Sequence, residues 1–414
     1  MLPKRIKNKV FIEPMKKRIL IFSFVYYPNF VGGAEVAIKE ITDRISQKDI
    51  EFDLIALHFD KNLPCSEKLG NINIYRVGFA IKRKVSSNSL PFKLHLLKFL
   101  YPVFALIQAN RLHKKHGYDA VWAMMANYSG FGAIFFKLFY KQVPLILTLQ
   151  EGDPIPYIKK KVRFVWPLFK LLFRKASIIQ TISKYLADFA IEMGATCPVV
   201  IVPNAVSVEV FTEKFPKKEL DEISLRFKKD QGDIFLITTS RLVVKNAIGD
   251  IIESLCYLPE RVKFLVLGVG YQEKELKEKV EKLGVGHRVH FLGYVPHKEM
   301  PKYLKISDIF IRPSLSEGFG NSFIEAMAAS IPVIATPVGG IVDFLKDGET
   351  GLFCKVSNPK DIACKVEMYL NDEELKNRIV KNALRMVIEQ YDWNLIVKKM
   401  KEDVFNKISN SLVV

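Results

Sequence analysis

Arg312-Pro-Ser-Leu-Ser-Glu317-Gly-Phe-Gly320-Asn-Ser-Phe-Ile-Glu325-Ala-Met-Ala is the stretch on which the reading of this chain turns. It closes an apolar strand, passes through a loop with two glycines, and enters a helix near Gly320. In an open α/β sheet, ligands sit beyond the carboxyl ends of the strands. Glycines let the backbone approach an anion, and the free amides and positive dipole end of a helix suit a phosphate. Glu317 precedes the helix and Glu325 lies about one and a half turns inside it. Two carboxylates flanking a phosphate-sized cradle can accept hydroxyl hydrogen bonds on either side. The ligand that fits is a diphosphate with a sugar at each end, a nucleotide sugar. An ordinary helix start with a solvated glutamate would carry the same local pattern.

A second segment supports the ligand reading. The strand Ile234–Thr239 runs into Ser240-Arg241-Leu-Val-Val-Lys245-Asn, and a helix is expected over Asp250–Leu258. Arg241 and Lys245 thus leave the same strand end of one sheet. Both can sit on a diphosphate and neutralise its charge as it departs.

Working outward, short Val/Ile-rich runs alternate with amphipathic stretches along the chain. Strands are expected at Arg18–Phe24, Phe52–Leu57, Ile72–Val77, Ala120–Ala123, Leu145–Leu149, Ser177–Thr181 and Val199–Val202. The second set is Ile234–Thr239, Lys263–Leu267, Val289–Leu292, Ile309–Arg312, Val333–Ala335 and Gly351–Cys354. Such runs, without strict alternation, belong to parallel sheets covered on both faces. The fold class is therefore α/β, with two doubly wound sheets. The expected organisation is an N-terminal Rossmann-like acceptor domain over 1–207 and a C-terminal Rossmann-like donor domain over 208–390. A helix with an apolar face is expected from Tyr391-Asp-Trp393 to the end, over 391–414, and in a two-domain chain of this kind it is expected to cross back to the N-terminal domain.

These segments together resemble the family-four glycosyltransferases, retaining enzymes of the GT-B architecture. The resemblance spans nearly the whole second half. It runs through Ser240-Arg241-Leu242 with Lys245, Leu267-Gly-Val-Gly270 and Phe291-Leu-Gly-Tyr-Val295. It continues through Pro313-Ser314, the Glu317/Glu325 pair, Pro337-Val-Gly-Gly340 and Asp347-Gly-Glu-Thr-Gly351. It implies that Arg241 and Lys245 bind the donor diphosphate, that Glu317 contacts the donor sugar, and that Glu325 contacts the ribose. Backbone groups of Gly318, Phe319, Gly320 and Asn321 would serve sugar and phosphates, and the backbone near Val295 the base. The first half matches more loosely. Gly32-Gly33-Ala-Glu35 corresponds to the family's glycine loop facing the donor phosphates. Where many members carry His-Asp, this chain has Gln150, followed by Glu151 and Asp153, and Gln does not titrate near neutral pH. Ala205 and Ser207 depart from the family's Pro-Asn-Gly-Val-Asp at the domain join.

The reaction implied is transfer of a hexose from a UDP- or GDP-sugar to a glycan or lipid-linked acceptor, with retention, in polysaccharide or glycolipid synthesis. No Asp-x-Asp motif lies in the donor region, so metal-independent transfer without a cofactor is expected. Sugar, base and acceptor are not encoded by any local spacing.

The charge distribution points to the acceptor side. The 414 residues carry a formal charge of +18. Residues 1–207 hold 31 Lys+Arg and 14 Asp+Glu, a net of +17, which leaves the second half near neutral. Two stretches of the basic first half combine cations with aromatics: Lys82–Tyr101 and Tyr157–Lys175. Both suit an anionic membrane surface, with an amphipathic helix packed on the sheet as the alternative; for Tyr157–Lys175 the membrane-facing role is favoured. Nucleic acid is the rival partner suggested by charge, but no helix-turn-helix, zinc or RNA-binding signature accompanies it. A non-catalytic nucleotide-sugar-binding homologue is the other alternative. With 49% hydrophobic residues, the composition excludes disorder, collagen-like repeats and disulfide miniproteins. Five cysteines without CxxC spacing fit reduced thiols, and no run reaches a membrane span. A cytoplasmic protein at the inner membrane face is expected. Met15-Lys-Lys-Arg18 and the apolar run after it read as a first strand and not a signal peptide. Residues 1–14 would then be a dispensable basic extension.

Overall fold

The computed structural model describes residues 16–28, 32–80, 92–227, 229–230 and 232–410, with side chains from 98 to 408 within the last segments. The expectations for residues 1–14 and for Lys82–Pro91 lie outside the described residues.

The apolar runs pair into two sheets. The first contains β1 (Lys17–Phe22), β2 (Ile50–Leu57), β3 (Ser66–Leu69), β4 (Ile72–Val77), β5 (Ala120–Met124), β6 (Leu145–Leu149), β7 (Ile178–Thr181) and β8 (Val199–Ile201), in the order β3-β4-β2-β1-β5-β6-β7-β8. The second contains β9 (Ile234–Thr239), β10 (Val262–Leu267), β11 (Val289–Gly293), β12 (Ile309–Arg312), β13 (Val333–Ala335) and β14 (Leu352–Phe353), in the order β11-β10-β9-β12-β13-β14. Every named pairing is parallel except β3 with β4. Crossover helices therefore cover both faces. Central strands such as β6 and β12 are buried along their whole length, as the unalternating sequence requires.

Three differences from the sequence expectations have local causes. β1 stops at Phe22 because Ser23 turns, its hydroxyl donating to the Val25 carbonyl at 2.8 Å. The extra strand β3 alternates exposed and half-buried residues at a sheet edge and carries no apolar run. The final helix is broken: Trp393–Lys399 is α-helical, Met400–Phe405 widens into a π turn, and Lys407–Asn410 resumes.

That last segment returns to the first sheet. Trp393, Ile396, Val397, Met400, Val404 and Phe405 share a core with Ile19, Phe52 and Trp122. The Phe405 ring lies 5.3 Å from Trp122 and 6.0 Å from Phe52. The Val206 amide donates to the Tyr391 carbonyl at 2.9 Å, which ties the return segment to the strand-end loop that leaves the first sheet. The carboxyl ends of both sheets are thereby brought to one cleft. Among the described residues, no helix is long and apolar enough to cross a membrane.

Candidate active site

On the second sheet, the chain leaves β9 and places Lys245 on a one-turn 3-10 helix, Val244–Asn246. Buried Asn246 closes this turn by donating to the Arg241 carbonyl at 2.7 Å. The Leu315 amide donates to the Lys245 carbonyl at 2.7 Å, which couples the turn to the loop after β12. The Lys245 ammonium crosses the cleft. Its Nζ donates to the Gly152 carbonyl at 2.6 Å and lies 3.6 Å from an Asp153 carboxylate oxygen. Burial pushes the Lys245 pKa down, while Glu317 and Asp153 pull it up and Arg241 and Arg312 add to the lowering. Arg241 is exposed at the cleft and has no ion pair among the described residues. Its charge acts on Glu35, beyond the glycine loop of the other half.

The loop after β12 is organised by Arg312, which the sequence identified only as a strand end. Its guanidinium is buried. It donates to Glu317 Oε2 at 2.7 Å and to the Ser322 hydroxyl at 2.7 Å, and it stacks over the Phe323 ring at 4.4 Å. Burial lowers its pKa, opposed by Glu317 and Glu325. Glu317 is thus fixed by one oxygen, and its other oxygen accepts the Gly318 amide at 3.2 Å. Gly320 has φ +97°, and a Cβ there would lie 2.5 Å from the Phe323 ring, so the left-handed turn into helix Asn321–Ala328 requires glycine. Phe319 faces inward against Phe344 and Tyr391, which leaves only its backbone to the cleft. Glu325 accepts from His297 Nε2 at 3.0 Å. Val295 lies just beyond β11 and packs half-buried on the core.

The first half meets these groups directly. The Gly32 amide donates to Glu35 Oε2 at 2.8 Å and starts helix Gly33–Asp43. A Cβ on Gly33 would stand 3.7 Å from the Asn321 amide nitrogen, so the glycine loop abuts the start of the donor helix. Gln150 faces Asn204 in a reciprocal amide pair, 3.2 and 3.1 Å, and Asn204 donates on to Asn321 at 3.1 Å. Glu151 is buried and accepts the Ala126 amide at 2.6 Å through Oε1, while Oε2 has no hydrogen-bond partner among the described residues. Burial pushes its pKa up to about 7 against three backbone hydrogen bonds. The Gly152 carbonyl also accepts from the Ser316 hydroxyl at 3.3 Å. Ala205 is buried beside the return segment, and Ser207 precedes the short helix Val208–Thr212.

The structure therefore brings Lys245, Glu317, Gly318, Gly152 and Asp153 into one cluster. Asn321, Asn204, Gln150 and Gly33 form a second beside it, and Glu325 with His297 a third. Sequence reading missed Arg312, Asn204, Ser316 and His297. A charged residue closing the apolar run Ile309-Phe-Ile was the available signal for Arg312; the other three depend on contacts between distant segments. Among the described residues, no group of three His, Cys, Asp or Glu side chains is placed to hold a metal ion.

Two parallel, helix-covered sheets that bring charged strand-end loops to a shared cleft define the GT-B class of glycosyltransferases. Residues 31–210 match the family model described as Glycosyltransferase Family 4, and residues 221–386 match Glycosyl transferases group 1. The chain belongs to this group 1, family 4 set of glycosyltransferases. It is 28% identical over 382 residues to N-acetyl-alpha-D-glucosaminyl L-malate synthase of Bacillus anthracis, covering 90% of this chain and 93% of that one. An uncharacterized glycosyltransferase of Methanocaldococcus jannaschii is 26% identical over 402 residues, covering 92% and 96%. In fold, HepE of Anabaena, solved with UDP-glucose, superimposes with a TM-score of 0.75 at 19% identity over 94% of this chain and 99% of that one. Sucrose-phosphate synthase of Thermosynechococcus elongatus gives 0.80 at 17% identity, covering 95% and 100%.

Proposed function

We propose that this chain is a retaining, metal-independent hexosyltransferase that takes its sugar from a UDP- or GDP-sugar. The observation that carries the reading is the convergence of Lys245, exposed Arg241, Glu317 and the Gly318 amide at the strand ends of the second sheet, opposite the glycine loop of the first. Arg241 and Lys245 bind the diphosphate and stabilise it as the bond from the anomeric carbon to the phosphate oxygen breaks. The acceptor oxygen attacks the same face, and its proton passes to the departing phosphate oxygen, so no separate enzymic base is needed. Glu317, held by Arg312, accepts donor-sugar hydroxyls, and Glu325 those of the ribose. No cofactor enters this scheme. The relative named N-acetyl-alpha-D-glucosaminyl L-malate synthase supports glycosyl transfer, and HepE, solved with UDP-glucose, supports a nucleotide-sugar donor.

The 1–207 half, carrying +17, serves the acceptor and 208–390 the donor. The segment 157–175 divides in two. Phe169, Leu172 and Phe173 form the buried face of helix Trp166–Lys175. Helix Ile155–Lys161 and the turn after it expose Tyr157, Val165 and, at 83%, Phe164 among Lys159, Lys160, Lys161 and Arg163. An exposed aromatic within a lysine cluster fits peripheral docking on an anionic, cytoplasm-facing membrane, where a lipid-linked or polysaccharide acceptor is presented. A thermal-shift screen of nucleotide sugars tests the donor reading: one base and sugar raises the melting temperature by mass action. If UDP- and GDP-sugars all leave it unchanged, the reading fails.

A further inference from the structure

Glu325 is not free to meet a ligand with both carboxylate oxygens. His297, in the 3-10 turn His297–Glu299 just beyond β11, donates from Nε2 to Glu325 Oε1 at 3.0 Å. The Glu325 side chain is 14% exposed and that of His297 56% exposed, so the imidazole is the outer of the two paired groups. The ring is backed at 5.5 Å by Phe211, a fully buried residue of helix Val208–Thr212 at the join between the halves. A second carboxylate, Glu40 on the helix after the glycine loop, acts on it from across the cleft.

We propose that His297 is a positioning residue of the ribose subsite, whose charge sets how much of Glu325 is available to a nucleotide's ribose hydroxyls. This rests on the reading of Glu325 as the ribose acceptor given above. A carboxylate accepts a ribose diol best with both oxygens and its full negative charge. The imidazolium takes one oxygen and most of the charge. The neutral ring makes a weaker hydrogen bond that hydroxyls can displace. Among the described residues, the charged groups acting on the ring are Glu325 and Glu40. Hydrogen bonding to Glu325 raises the His297 pKa above its ordinary value, burial opposes this, and Glu40 adds to the rise. The exchange is therefore displaced to higher pH than for an ordinary histidine.

The test is calorimetric binding of UDP and of GDP to the full chain, each beside its 2′,3′-dideoxy analogue. The analogue keeps the diphosphate but lacks the diol. The ratio of the two dissociation constants reports the ribose contribution alone. It is expected to rise about five- to tenfold from about pH 5.5 to about pH 8.5. In His297→Gln, which keeps an N–H donor and does not titrate, the ratio should stay constant. A flat ratio in the wild type, or a slope that survives in His297→Gln, overturns the proposal. The underlying reading is checked separately. If Glu325→Ala shows the wild-type ratio at high pH, Glu325 is not the ribose acceptor, whatever the slope.

Discussion

Gly318, on the second sheet's donor loop, lies so close to Glu151, on a loop of the first sheet, that a Cβ there would stand 2.4 Å from the Glu151 carbonyl oxygen. Backbone presses on backbone between the two halves, and no side-chain rotation can relieve an added methyl. Gly318→Ala should hold the cleft open while each half stays folded. The expected result is at least about a tenfold loss of turnover, because donor and acceptor are no longer held in register. Steady-state nucleotide release and circular dichroism, measured together, check this.

Arg312 and Glu317 form an ion pair with side chains 8% and 15% exposed. Removing one partner strands the other charge out of water. Arg312→Leu is expected to cost about 3–5 kcal/mol and to abolish activity through misplacement of Glu317. Denaturant titration measures the first effect. Glu317→Gln, which retains an acceptor for the guanidinium, should cost less.

Glu151 gives a pH signature with a defined sign. Its carboxyl titrates near 7 in the folded chain and near the ordinary 4.5 when unfolded. Below 4.5 both states are protonated and its contribution is fully present. Between 4.5 and 7 the folded state holds the proton more tightly, so stability falls as pH rises. Glu151→Gln should remove that part of the decline in a series of melts across this range.

Phe164 is the most exposed large apolar side chain of the basic segment. Phe164→Ser should reduce sedimentation with phosphatidylglycerol vesicles at least about threefold, since one buried aromatic contributes on the order of 1–2 kcal/mol. High salt should release the wild type through loss of the lysine contribution. Equal sedimentation of wild type and variant would argue against this face.

Most of the architecture was legible because the sheets are parallel and buried, and their Val/Ile runs need no partner to be recognised. The edge strand Ser66–Leu69 was not, because one-sided pairing tolerates the polar alternation of a loop. Lys245 and Glu317 could be placed together from sequence, since both follow strands whose carboxyl ends must share one edge. The bridge from Gln150 through Asn204 to Asn321 could not. It joins two strand-end loops of the first sheet to the first residue of helix Asn321–Ala328, and only the closed geometry of the halves makes their amides meet. His297 was invisible for the same reason, and Arg312 was visible only as the end of a strand.

Transfer of a sugar from a nucleotide diphosphate in this cleft requires Lys245 on the diphosphate and Glu317 on the sugar. The decisive measurement is nucleoside diphosphate release from the nucleotide sugar that stabilises the wild type, compared in wild type, Lys245→Met and Glu317→Ala, with thermal melts as the folding control. The predicted result is a fall in turnover of about a hundred- to a thousandfold in each variant that remains folded, the loss typical of removing one preorganised charge contact. Near-normal turnover in folded Glu317→Ala or Lys245→Met would contradict the assignment of the site.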